Sequence, residues 1–164
     1  GIGLKKRGVD SKTATTLARL SEGRPGHALS LLESKEFQAL QEASEQALLY
    51  LLSPQSLQIV PFLALFEKRK EETDAILNDF LNFFRDVLVM KTTRDDRRIL
   101  NPTRRIQVKE TARRVSERAI YGIIEQIIQT KEQLRRNLNL TVGLQQMFRI
   151  IQEEISGNDR RHSL

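Results

Sequence analysis

The chain has 164 residues and a formal net charge of +6, with 39% hydrophobic, 5% aromatic and 29% charged residues and neither Trp nor Cys. Its Leu- and Ile-rich apolar fraction can fill the core of one ordinary helical domain, and charges scattered between apolar positions mark solvated helix faces, not disorder. Without Cys there is no disulfide, thiolate nucleophile or Cys-ligated zinc, and no apolar run approaches the roughly 18 residues of a membrane span.

In chain order, apolar residues recur at helical spacing nearly throughout. Ala14, Leu17 and Ala18 share a face after Asp10 and Ser11, whose side chains can cap the first free N–H groups. Glu22-Gly23-Arg24-Pro25-Gly26 is a turn, and Pro25 is placed to open a second helix through Ala28, Leu29 and Leu32. These two short helices predict a compact unit ending near Ser34. Phe37, Leu40, Ala47, Leu48 and Leu51 trace the next stripe, closed by Ser53-Pro54. Leu57, Val60, Leu63 and Phe66 predict another helix, which Pro61 must either kink or begin.

The clearest amphipathic stretch carries Ile76, Leu77, Phe80, Leu81, Phe84, Val87 and Leu88 on one wide apolar face. Asn101-Pro102 interrupts the pattern, and a weaker helix follows through Val108, Ala112 and Val115. Ile120, Ile123, Ile124, Ile127, Ile128, Leu134 and Leu138 predict a helix of about six turns. Asn139 or Thr141 can cap the last helix, which carries Leu144, Met147, Phe148, Ile151 and Ile155 and is expected to end at Ser156-Gly157-Asn158-Asp159. Met90 and Met147 read as core gap-fillers and the phenylalanines as core residues; nothing reads as a strand.

Between Arg94 and Arg118 lie nine basic residues against four acidic ones, which concentrates five of the six net positive charges. Arg94, Arg97, Arg98, Arg104, Arg105, Arg113 and Arg114 are therefore candidates for a surface that meets an acidic partner or DNA. The alternative is a solvated helical face laced with local ion pairs. Catalytic chemistry is poorly served. There is no phosphate-cradling G-x-x-x-x-G-K-[ST] loop, and His27 and His162 stand far apart and outside any H-E-x-x-H pattern. Glu71, Glu72 and Asp74 precede a helix and suit its positive end. Arg24, beside Pro25 at a helix start, is either an anion contact or a solvent-facing arginine. No cofactor, metal, small-molecule substrate or membrane is expected.

Three stretches, in order, resemble the clamp-loader subunits of the AAA+ family. The segment Leu17 to Leu29, with its Arg24-Pro25-Gly26 turn, is similar to their lid. Phe84-Arg85-Asp86-Val87-Leu88 is similar to the Arg-Asp-x-Leu helix of their collar domain, and Asn137-Leu138-Asn139 followed by an apolar helix is similar to the final Asn-x-Asn collar element. Within the family the chain looks most like the delta-prime type of bacterial DNA polymerase III clamp-loader subunit. Gly26 stands where the ATP-hydrolysing subunits carry a nucleotide-sensing arginine.

The apolar periodicity predicts an all-α fold, a small helical subdomain followed by a bundle, which the resemblance identifies as lid and collar. Residues 1–34 would form a lid-like subdomain, 35–156 a collar bundle of five or six helices, and 157–164 a frayed tail. The resemblance implies a non-catalytic, cytoplasmic scaffold that joins other subunits through its collar in a heteropentamer loading the sliding clamp onto primed DNA. The start lacks an initiator Met and the apolar core of a leader, so a longer parent with a preceding AAA+ domain is expected. The competing expectations are a basic helical nucleic-acid-binding module and the lid and collar of the ATP-hydrolysing motor subunit.

Overall fold

The computed structural model describes residues 25–163 apart from Gln55 and Leu138. The helix expected through Ala14, Leu17 and Ala18, the first half of the following turn and the Arg24 anion contact thus lie outside the described residues. Among the described residues the chain is all-α, without a strand. Six helices follow one another: α1 (Pro25–Leu52), α2 (Ile59–Lys68), α3 (Thr73–Thr93), α4 (Arg105–Arg114), α5 (Glu117–Arg135) and α6 (Leu140–Ser163). Short 3-10 turns at Ser56–Gln58, Lys70–Glu72, Asp96–Arg98 and Pro102–Arg104 punctuate them. No described helix is long and apolar enough to cross a membrane.

Two expected helix ends are absent. The stretch through Leu32 and the Phe37 stripe are not separate helices, because α1 passes Ser34 without interruption and its 28 residues span about 42 Å. The apolar stripe shifts phase between Leu32 and Phe37, which imitates a boundary. Neither Gly nor Pro occurs between His27 and Leu52, however, and Ala, Leu, Glu and Gln dominate, so nothing stops the helix before Ser53-Pro54. Likewise α6 passes Gly157 and runs to Ser163. One glycine in a helix costs about 1 kcal/mol, too little to end it.

Pro61 begins α2 instead of kinking it. It is the third residue of that helix, within the first turn, where N–H groups have no intrahelical acceptor. Starting at Ile59 sets the phase of the buried face. Phe62 and Phe66 are fully buried, whereas Leu57 and Val60, expected on the apolar stripe, are 80% and 67% exposed.

One core joins all six helices. Ala47, Leu48 and Leu51 enter it from α1, and Ile76, Leu77, Phe80, Leu81, Phe83, Phe84 and Val87 from α3. Helix α3 packs against α1, α4 and α5, and α5 lies along α6. The ring of Phe62 sits 4.8 Å from Phe148, 5.1 Å from Phe66 and 6.3 Å from Phe80, so a single side chain couples α2, α3 and α6. Truncating such a buried ring to Ala costs about 3–5 kcal/mol. Gln152 of α6 adds a polar tie by donating to the carbonyls of Leu51 (2.8 Å) and Ser53 (2.5 Å), at the otherwise unsatisfied end of α1.

The α5–α6 junction explains the Asn-x-Asn element physically. Asn137 takes the left-handed conformation (φ 64°) just past the end of α5, and its N–H bonds back to the Leu134 carbonyl. Asparagine is one of the few residues that tolerates this geometry. Asn139 then opens α6: its Oδ1 accepts a 2.9 Å bond from the Val142 N–H. One asparagine stops a helix and the other starts the next.

Candidate functional site

The basic segment begins where α3 stops. Arg94 follows the last turn in the left-handed region (φ 59°, ψ 24°), its N–H bonded to the Met90 carbonyl at 2.8 Å. The turn that follows is tightly self-paired. Asp95 Oδ1 accepts from both the backbone N–H and the Nε of Arg97 at 3.0 Å, and Arg98 lies 3.7 Å from Oδ2. Asp96 takes Lys109 at 2.9 Å and Arg105 at 3.9 Å. The Arg97 hydrogen bonds, side chain first and then backbone, hold the Asp95 carboxyl below the usual carboxylate range. The Lys109 hydrogen bond does the same for Asp96. In return, the Asp95 hydrogen bond raises the Arg97 guanidinium above its ordinary value.

Three contacts pin this segment to the bundle. Asp86 of α3, only 2% exposed, accepts from the backbone N–H groups of Leu100 (2.8 Å) and Asn101 (3.2 Å). The aspartate of the Arg-Asp-x-Leu motif is therefore a loop anchor. Lys91 Nζ donates to the Ala112 carbonyl at 2.8 Å, near the open end of α4. The third contact corrects an expectation. Arg104, counted among the surface arginines, is turned inward and 6% exposed. Its Nε meets Glu45 at 2.8 Å and its Nη2 meets Asp79 at 2.7 Å, with the Phe83 ring 6.0 Å away. Ser44 also donates to Asp79, at 2.5 Å. Burial opposes the Arg104 charge, but the hydrogen bonds and charges of Asp79, then Glu45, outweigh it and raise its pKa. Arg104 ties α1 to α3 through the turn before α4, and cannot meet DNA from there.

Of the other expected surface residues, Arg94, Arg97, Arg98, Arg105 and Arg113 are exposed and Arg114 is half-buried. They do not make one continuous cationic face, because Asp95 and Asp96 are interleaved with four basic side chains. Of Glu71, Glu72 and Asp74, the last two are tied into the scaffold. Glu72 pairs with Arg69 at 2.6 Å, and Asp74 lies 3.3 Å from Lys131, which also bonds Asn78.

Beside the basic segment lies an open groove of about 700 Å³ between the end of α3 and α4. Met90, Ile106 and Ala112 provide its apolar wall, and Arg94, Lys109 and Arg113 its cations. Met90 is half-buried: it packs against the core and also reaches the surface, whereas Met147 is fully buried. Ile106 is 80% exposed. Its exposure was readable: two residues before Val108, it sits about 200° around the helix, opposite the buried Val108 and Ala112 face.

Other exposed apolar side chains are Leu31, Leu32 and Phe37 on α1, Leu57 in the turn before α2, Val60 at the start of α2, and Tyr121 and Ile128, two turns apart on α5. Phe37, expected in the core with the other phenylalanines, is 47% exposed. The fold and its surfaces define an all-α bundle whose charged side chains chiefly clasp helices together, with unpaired apolar patches outside. Residues 35–152 match the family described as DNA polymerase III, delta subunit, C terminal, and the chain belongs to that family of clamp-loader subunit domains. Neither a curated protein nor a solved structure matches the chain.

Proposed function

We propose that the chain is the lid and collar of a delta-prime-type clamp-loader subunit, acting as a non-catalytic cytoplasmic scaffold. Its collar would assemble with other subunits into the heteropentamer that loads the sliding clamp onto primed DNA. The observation that carries the clamp-loader part of this reading is the delta-subunit family match across residues 35–152, which runs from the second part of α1 into α6 and takes in the core as far as Ile151. The match opening at residue 35 also supports a boundary between a lid-like segment and a collar there.

The preference for delta-prime rests on the segment before it, where Gly26 stands in place of a sensing arginine. A glycine has no side chain to reach a nucleotide phosphate. The exposed apolar residues of α1, α2 and α5 supply what a subunit interface needs, apolar area that the fold itself leaves uncovered. The nucleic-acid-binding alternative is less well supported, since Arg104 is internal and Asp95 and Asp96 neutralise much of the basic turn.

The reading is tested by mixing the chain with the other subunits of a bacterial clamp loader and following the mixture by size-exclusion chromatography. Co-elution in a stoichiometric complex is expected, and Tyr121→Glu with Ile128→Glu should weaken it. Separate elution of folded chain and partners would refute it.

A further inference from the structure

The proposed collar role does not use the groove between the end of α3 and α4, although the Lys91–Ala112 bond in its lining helps join the two helices. Its wall is apolar, with Ile106 80% exposed and Met90 half-buried. Four basic residues line it against the single carboxylate of Glu110. Two of the four are engaged: Lys91 with the Ala112 carbonyl and Lys109 with Asp96. Within the described residues, the side chains of Arg94 and Arg113 make no hydrogen bond or ion pair. Arg94 is also held at the lip by a left-handed backbone that glycine would adopt more readily.

We infer that this groove docks a short acidic segment of a partner protein, with an apolar side chain seated against Met90, Ile106 and Ala112 and flanking carboxylates meeting Arg94 and Arg113. Charge complementarity selects the acidic class, because two unpaired guanidiniums offer forked donors to carboxylates. The apolar wall selects a peptide over a nucleic acid. No aromatic ring lines the groove to stack on a base. Its area is small, so the complex is weak and salt-sensitive, as rim charges are screened.

The test uses the full chain and a labelled synthetic peptide of alternating Asp and Leu, followed by fluorescence polarisation at low salt. Saturable binding is expected. It should weaken about tenfold in Arg94→Ala/Arg113→Ala and severalfold in Ile106→Ser, but stay unchanged in Arg97→Ala, which lies outside the groove. All these side chains are exposed, and circular dichroism checks that the helices persist. Peptides with Leu replaced by Ser, or Asp by Asn, should bind poorly. The inference is overturned if the peptide does not bind, or if the groove variants bind it as wild type does. It is equally overturned if short single-stranded or duplex DNA binds the same variants' site more tightly than the peptide.

Discussion

A buried carboxylate can hold a loop as firmly as an apolar side chain, and Asp86 does so with two backbone N–H groups at 2.8 and 3.2 Å. Hydrogen bonds to a charged acceptor are worth about 1.5–3 kcal/mol, and orphaned N–H groups add their desolvation cost. Asp86→Ala should therefore lower the unfolding free energy by about 2–4 kcal/mol in a urea titration. It should also speed amide exchange at Leu100 and Asn101, whereas Arg85→Ala at the exposed neighbouring position should do neither. Arg94 gives the opposite sign. A non-glycine residue in the left-handed region costs about 1 kcal/mol, so Arg94→Gly should raise stability by about 0.5–1 kcal/mol while removing a cation from the groove. Thermal unfolding of that variant reads the gain directly. Residue-scale function was only partly legible from sequence. A run of arginines carries no information about which one turns inward, and the partners of Arg104, Glu45 and Asp79, are 59 and 25 residues away.

At the scale of elements, sequence pattern located helices well and their ends poorly. The faces of α3 and α6 were legible because apolar residues kept one phase through several turns, and Leu144, Met147, Phe148, Ile151 and Ile155 are all buried. On α5, Ile120, Ile123 and Ile127 are buried as expected, but Ile128 is 49% exposed. The phase of α2 was not, because Pro61 fixes the start and so decides that Phe62, not Val60, faces inward. The expected break near Ser34 failed for a different reason: a shifted stripe changes which face is buried but does not end a helix that lacks a breaker. The Asp95–Asp96 turn between α3 and α4 makes a pH-dependent element. Both carboxyls titrate below their ordinary value near 3.9, chiefly through hydrogen bonds from Arg97 and Lys109. A depressed carboxylate stabilises the folded state fully above its unfolded pKa and loses that contribution as pH falls through the folded one. Carbon-detected NMR titration should thus place both inflections below 3.9, and the turn should loosen only under acid below that point. Arg97→Ala should return Asp95 toward the ordinary value and leave Asp96 nearly unmoved, since Lys109 is its main partner.

For the whole molecule, the position of the core along α1 decides what the chain can lose. Burial on that helix begins at Ser44 and continues through Ala47, Leu48 and Leu51, all facing α2, α3 or α6. From Ser30 to Gln38 every residue is exposed apart from half-buried Glu33, and Leu31, Leu32 and Phe37 contribute nothing to the described core. The second part of α1 therefore belongs to the bundle, while the first part is a continuous extension of it, without a hinge at residue 34. Such a rod can transmit the position of a preceding domain to the bundle, as a lid joined to a collar would require. A chain shortened to begin at residue 35 should keep its cooperative unfolding and lose no more than about 1 kcal/mol, the order of the frayed-end contribution of helix propensity. Removing residues through Gln46 instead severs Ser44 and Glu45 from Asp79 and Arg104 and uncovers Phe83, so unfolding should become broad and the protein aggregate. Thermal unfolding by circular dichroism, run on the three lengths side by side, distinguishes these outcomes. If the chain beginning at residue 35 loses as much stability as the shorter one, the first part of α1 is packed against the bundle and the division between lid and collar fails.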